Sequence, residues 1–151
     1  MLRFKRRLLR AGSGKGQARR IPCLQVESMN VVRTEDLPFA GSSWNFAGAD
    51  HGGVAISFYL VDAQPGRGAP LHCHDYDEVV VVQAGHPRFF VGDLTRDAGP
   101  GDILVIKAGT PHGFVNAGSE RLRQIDIHAS ATFQQRNLPA TQESRLAGLP
   151  E

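Results

Sequence analysis

The sequence predicts an all-β protein, and two observations carry that expectation. Seventeen Gly and nine Pro punctuate a chain of 151 residues, and the apolar runs between them are short and rich in Val, Ile and Phe. Many turns joining short strands fit this pattern better than helices do. At 41% apolar residues the chain is globular and long enough to bury one core.

Taken in order, Val31-Val32-Arg33 reads as a short opening strand, and residues 38–53 read as a loop anchored by Trp44 and Phe46. A longer strand follows from Val54 to Val61, with Val54, Ile56, Phe58 and Leu60 on one face and Ala55, Ser57 and Tyr59 on the other. Pro65-Gly66 ends it. His72 and His74 are two residues apart, so on a strand both rings leave the same face, roughly 7 Å apart along the backbone. A helix would splay them, because neighbours there are three or four residues apart. Val79 to Val82 is apolar on both faces, which predicts a strand buried between two layers. Turns at Gly85, Gly92-Asp93 and residues 99–102 separate strands at 86–91 and 103–106, an antiparallel meander. The loop 108–111 delivers His112 to Asn116, and Arg121 to His128 forms the last core strand. Residues 131–151 read as a polar tail with at most one helical turn.

Charge is unevenly divided. Residues 1–28 carry eight Lys or Arg against the single acid Glu27, while the remainder carries nine against fourteen acids. The basic segment 1–28 has little core-forming pattern and reads as a disordered leader, with Met29 as an alternative start of the folded part, 29–130. Basicity without interleaved aromatics gives no specific case for nucleic acid. There is no apolar run near the ~18 residues of a membrane span, and Leu8-Leu9 is too short for a signal-peptide core. The expectation is therefore a cytoplasmic protein without a membrane partner. Alternation turns Cys73 away from the face of His72 and His74, so it reads as a small buried apolar residue, and no disulfide with Cys23 is expected.

The segment Gly66 to Glu78 and its continuation to Gly85 read Gly, five residues, His72-x-His74, three residues, Glu78, six residues, Gly85. A second run reads Gly101, seven residues, Gly109, two residues, His112, three residues, Asn116. In these two motifs the chain resembles the cupin superfamily, with one departure: Lys107 stands where that family usually has proline. The resemblance spans about residues 54–128 and implies a small antiparallel β-barrel or jelly roll. It also implies that His72, His74, Glu78 and His112 are metal ligands, and a homodimer made through sheet edges. Three neutral imidazoles and one carboxylate suit a divalent transition metal such as Fe, Mn, Ni or Zn.

Further candidates lie near these ligands. Tyr76 shares their alternation parity. Phe58 and Phe114 are candidates for core packing that also lines a pocket above the metal. Gln124, Asp126 and His128 share one face of the last strand; facing inward they would contact a substrate, but polar Arg121 and Arg123 on the opposite face favour a solvated reading. Asn116 reads as an amide that fixes a loop. The expected function is a small-molecule metalloenzyme of dioxygenase or isomerase type, with Glu78 as ligand and proton acceptor in turn. The alternative is a ligand-binding or sensory module without turnover. Against it, no pair of helical segments suitable for a helix-turn-helix is evident.

Overall fold

The computed structural model describes residues 29–150, and from Val32 onward they form one compact unit. Eleven strands run β1 (Phe39–Ala40), β2 (Ser43–Ala47), β3 (Ser57–Ala63), β4 (Gly68–Cys73), β5 (Glu78–Ala84), β6 (Pro87–Val91), β7 (Leu94–Asp97), β8 (Ile103–Ile106), β9 (His112–Asn116), β10 (Leu122–His128) and β11 (Arg136–Asn137). One helix, α1 (Gln142–Leu146), and two 3-10 turns complete the described residues. The leader 1–28 and its alternative start lie outside the described residues.

The strands form two antiparallel sheets, ordered β1-β2-β3-β10-β5-β8 and β11-β4-β9-β6-β7. The fold is a two-sheet jelly roll, and hydrogen bonding does not close it into a barrel. Between the sheets lies a core of Val61, Ala63, Val80, Val82, Phe89 and Leu122, with Ile106 and Phe114 beside them. This layer follows from strand alternation: Val80 and Val82 on β5 point inward while their neighbours Val79 and Val81 point out.

Four expectations need correction. Residues 31–33 form no strand; a 3-10 turn at Thr34–Asp36 follows them. Trp44 and Phe46 lie in strand β2 and not in a loop. β3 begins at Ser57, and its inward face is Ser57, Tyr59, Val61 and Ala63. Phe58 therefore faces outward, stacked on Phe46 at 4.5 Å between ring centroids. Lastly, β5 is not sandwiched between layers; its second apolar face belongs to an apolar outer surface.

That surface follows the sheet register. Phe39, Trp44, Leu60, Ile125, Val81 and Ile103 are successive cross-strand partners from β1 to β8. Phe46, Phe58, Ile127, Val79 and Val105 form a second row from β2 to β8.

The polar tail is also more apolar in its packing than its composition suggests. Ala147 and Leu149 are buried against Leu71 and Phe90 on the outer face of the second sheet. Thr141 and Ser144 form a capping box that starts α1. Gly113 makes room for this segment: a Cβ there would lie 2.5 Å from Leu149 Cδ2. Leu149→Ala is expected to lower stability by about 2–3 kcal/mol in denaturant unfolding, the range for a buried leucine whose site partly relaxes.

Candidate metal centre

Sheet register brings the site together. β4 and β9 pair so that His72 stands opposite His112, and β5 and β10 pair so that Glu78 stands opposite His128. His74 follows directly on β4. All five side chains are buried, between 2% and 6% exposed. Two loop contacts fix the approach. The Gly109 N–H donates to the His74 carbonyl at 2.8 Å, and the Ala108 N–H donates to Asp77 Oδ1 at 2.9 Å. Lys107, the departure from the family pattern, forms an ion pair with Asp77, so the two ligand-bearing loops are joined there by charge. Gly109 has φ 76°, a left-handed conformation that glycine adopts without strain.

His72, His74, Glu78 and His112 each offer one ligand atom, and these atoms lie within 4.8 Å of one another. The rings are oriented by the backbone. His72 Nδ1 donates to the Pro70 carbonyl at 2.8 Å, His74 Nδ1 to that of Tyr76 at 2.8 Å, and His112 Nδ1 to that of Thr110 at 2.7 Å. A carbonyl only accepts, so each Nδ1 carries the proton and each Nε2 is left to face the centre. Glu78 Oε2 lies 2.9 Å from both His74 Nε2 and His112 Nε2. His112 Nε2 is nonetheless buried without an aligned hydrogen-bond partner. Converging Nε2 atoms, that of His112 buried without an aligned partner, beside a carboxylate are a donor set that fits a divalent transition metal.

The electrostatics agree. Burial acts to raise the Glu78 pKa, and the surrounding His112, His128 and His74 imidazoles outweigh it, holding the carboxyl well below its usual range. His72 is pushed down to about 4 by burial and by the neighbouring His112. Burial also acts to lower His74, but its hydrogen bonds to Glu78 and to the Tyr76 carbonyl prevail and raise it. His74 thus has an acceptor on each side, the Tyr76 carbonyl at Nδ1 and the Glu78 carboxylate at Nε2.

A cavity of about 40 Å³ reaches His72, Glu78, His112 and His128. It shares Tyr59, Ala69, Phe114, Asp126 and Gln135 with a wider cavity of about 310 Å³ that opens outward. Of the expected pocket residues, Phe114 and His128 line the inner cavity and Phe58 lines neither. Tyr76 lines neither as well; its ring stacks on His74 at 4.4 Å and its hydroxyl donates to the Gln134 carbonyl at 3.2 Å. Gln124 is buried behind the wall, and its Nε2 donates to Asp126 Oδ1 at 2.8 Å. The solvated reading of Gln124, Asp126 and His128 is overturned: they are 1%, 4% and 2% exposed. Asn116 fixes a loop, donating to the Ala63 and Glu120 carbonyls at 3.0 and 2.8 Å.

Sequence reasoning missed Tyr59 and Gln135 as wall residues. Tyr59 sits on the face of β3 that reads as the polar one. Gln135 lies in the presumed tail, whose Phe133 stacks on Tyr59 at 4.3 Å. Asp126 is held in a demanding environment: burial and the nearby Glu78 charge raise its pKa well above the ordinary value of 3.8, against the Gln124 hydrogen bond. A carboxyl raised in the folded state costs stability above its unfolded pKa and costs nothing below it. Asp126→Asn is therefore expected to raise the Tm of the metal-free protein at neutral pH by about 3–6 °C, equivalent to about 1 kcal/mol. The gain should vanish below pH 3.8.

The family model described as "Cupin domain" matches residues 59–128. Among curated proteins, the chain is similar to the HTH-type transcriptional activator RhaS of Mannheimia succiniciproducens, 34% identical over 68 residues, which are 45% of this chain and 25% of that protein. RhaR of the same organism is 32% identical over 56 residues, 37% of this chain and 20% of that protein. The chain thus spans a quarter or less of the length of these relatives. Among solved structures, an oxalate decarboxylase from Lactobacillus farciminis in a formate complex superposes with a TM-score of 0.62 at 24% identity, covering 69% of this chain and 34% of that one. The oxalate decarboxylase of Bacillus subtilis, in a study of its Mn(II) centres, gives 0.61 at 21% identity over 67% and 29%. These likenesses are likenesses of fold. Among the described residues no helix is long and apolar enough to cross a membrane.

Proposed function

The chain belongs to the cupin superfamily, and from that membership we propose that it is a metal-dependent enzyme acting on a small oxygen-bearing molecule, of dioxygenase or isomerase type. One observation carries this reading: three imidazoles held by backbone carbonyls converge with Glu78, and His72, Glu78 and His112 of that cluster line an inner cavity whose wall is shared with a wider, outward-opening one. His72, His74, Glu78 and His112 would hold the ion. Bound there, a divalent metal supplies Lewis acidity or, if redox-active, dioxygen chemistry. Manganese has support from the Mn(II) centres named for the Bacillus subtilis neighbour, and iron, nickel and zinc suit the same donors.

The remaining work falls to the chain's own residues. Glu78 directs Oε2 toward His74 and His112 and leaves Oε1 3.5 Å from His128 Nε2. A proton reaching Oε1 is therefore within reach of His128. Tyr59, whose pKa burial and neighbouring acidic groups push up to about 12, remains a neutral phenol able to donate a hydrogen bond. Asp126 lies in the same shared wall, and both can orient substrate oxygens. Phe89, Ile106 and Phe114 line the inner cavity with apolar surface and limit water there.

A second reading, a sensory module that binds a ligand without turning it over, draws on the similarity to two transcriptional activators. One experiment separates the two. Tag-free, metal-loaded protein is incubated with catechols, diketones, thiols and sugars, with and without air, following oxygen uptake and product formation by NMR. Turnover that disappears in Glu78→Gln supports the enzyme. Saturable binding with no conversion of any bound compound contradicts it and favours the sensor.

A further inference from the structure

We infer that the two adjoining cavities at the candidate metal centre accept an uncharged molecule carrying hydroxyl groups, and that Asn45, Tyr59, Asp126 and Gln135 select it over carboxylates and phosphate esters. This rests on the reading of His72, His74, Glu78 and His112 as a centre that meets substrate, and adds the class of that substrate. Among the described residues, no Lys or Arg lines either cavity. Asp126 lines both and Glu78 the inner one. With or without its proton, Asp126 adds no positive charge. The inner imidazoles are already met by Glu78, whose oxygens lie 2.9 Å from His112 Nε2 and 3.5 Å from His128 Nε2. Nearby cations serve elsewhere. Arg121 pairs with Asp62, and with Arg67 it lines a separate groove. Arg136 donates to Cys73 Sγ at 3.1 Å and lines neither cavity. A divalent ion at the four ligands adds positive charge at the inner end alone, and Glu78 offsets part of it. A carboxylate or phosphate on the outer part of a substrate would thus leave water with no cation to receive it, and burying an unpaired charge is costly.

The polar atoms of the wall suit hydroxyl groups instead. Asn45 Oδ1 accepts from Ser43 Oγ at 3.2 Å, so Asn45 Nδ2 remains to donate. Gln135 Nε2 donates to Asn137 Oδ1 at 2.7 Å, so Gln135 Oε1 remains to accept. Asp126 Oδ1 accepts from Gln124 Nε2 at 2.8 Å, which leaves Oδ2 for a ligand. The Tyr59 hydroxyl can do either. A hydroxyl both donates and accepts, and so satisfies this mixed set, whereas a carboxylate only accepts. Val61, Ala69, Pro70 and Phe114 supply apolar surface for the carbon skeleton. At about 310 Å³ the outer cavity is at the lower end of small-molecule sites, so the ligand is small.

Saturation-transfer NMR titrations on the zinc-loaded, tag-free full chain test this with pairs that differ in charge and little else. The probes are dihydroxybenzamide against dihydroxybenzoate, and glucuronamide against glucuronate. The expected result is saturable binding of an amide at least about tenfold tighter than its carboxylate, the order expected for one charge left unpaired. Gln135→Arg should remove or reverse that preference by supplying the missing cation, and Asn45→Arg replaces it if Gln135→Arg does not fold. Carboxylates bound as tightly as amides, no binding of either amide, or a preference unmoved in a folded variant overturns the inference. Turnover is followed separately on manganese- and iron-loaded protein, which keeps the two readings apart. Amides bound but never converted retain the selectivity and count against the enzyme, while carboxylates bound and converted do the opposite.

Discussion

His112→Ala is expected to weaken metal binding by more than the roughly 10–100-fold that loss of a supporting partner costs, with the fold retained. His112 contributes a ligand nitrogen that is fully buried without an aligned partner, so an ion gains there without displacing a hydrogen bond. Removing the ring takes away a ligand and opens the inner cavity beside Glu78. Equilibrium dialysis against a chelator, read by elemental mass spectrometry, measures the effect. Thermal unfolding in excess chelator serves as the control, since a wild-type-like transition shows that the metal loss is not unfolding. Retained metal at wild-type affinity would remove His112 from the site.

Acidification is expected to release the metal in two stages. Protons and the ion compete for the same Nε2 lone pairs. His74, raised above its ordinary 6.5, takes its proton first, so affinity should begin to fall near neutral pH by about tenfold per pH unit. His72, held down to about 4, resists protonation longer, and the loss should steepen as pH approaches that value. The metal-free fold responds with its own signs. The unfolded chain binds a proton at His72 between pH 6.5 and about 4, so stability drops as pH falls through that window. The contribution of Glu78 is present above its ordinary 4.5 and is lost as pH falls toward its depressed folded value. An affinity that stays level down to pH 4 would contradict histidine ligation.

The His72, His74, Glu78 and His112 cluster is legible in the sequence because its spacing is chemical: His72 and His74 at strand period, Glu78 and His112 at fixed offsets from turn glycines. Turn chemistry located most strands for the same reason. Alternation, however, divides a strand into two faces without saying which is inside. β3 and β5 are apolar outward as well as inward, so an apolar pattern alone points Phe58 into the pocket that Tyr59 lines. The reverse holds for Gln124, Asp126 and His128: their polarity favours the solvated of the two readings, yet they face inward and are buried. Short β1 and β2 were hidden in a glycine-containing stretch whose pairing depends on β3. Residues 133–138 show how little local composition says about a segment whose role is set by what it lies against.

Metal content tests the central claim most directly. Tag-free full chain is refolded or expressed with divalent metals, dialysed to remove loose ions, and assayed by elemental mass spectrometry with thermal unfolding in parallel. The account predicts about one transition-metal ion per folded chain and a higher Tm than in chelator. Folded protein that retains no metal, and whose Tm is unmoved by manganese, iron, nickel or zinc, would contradict it.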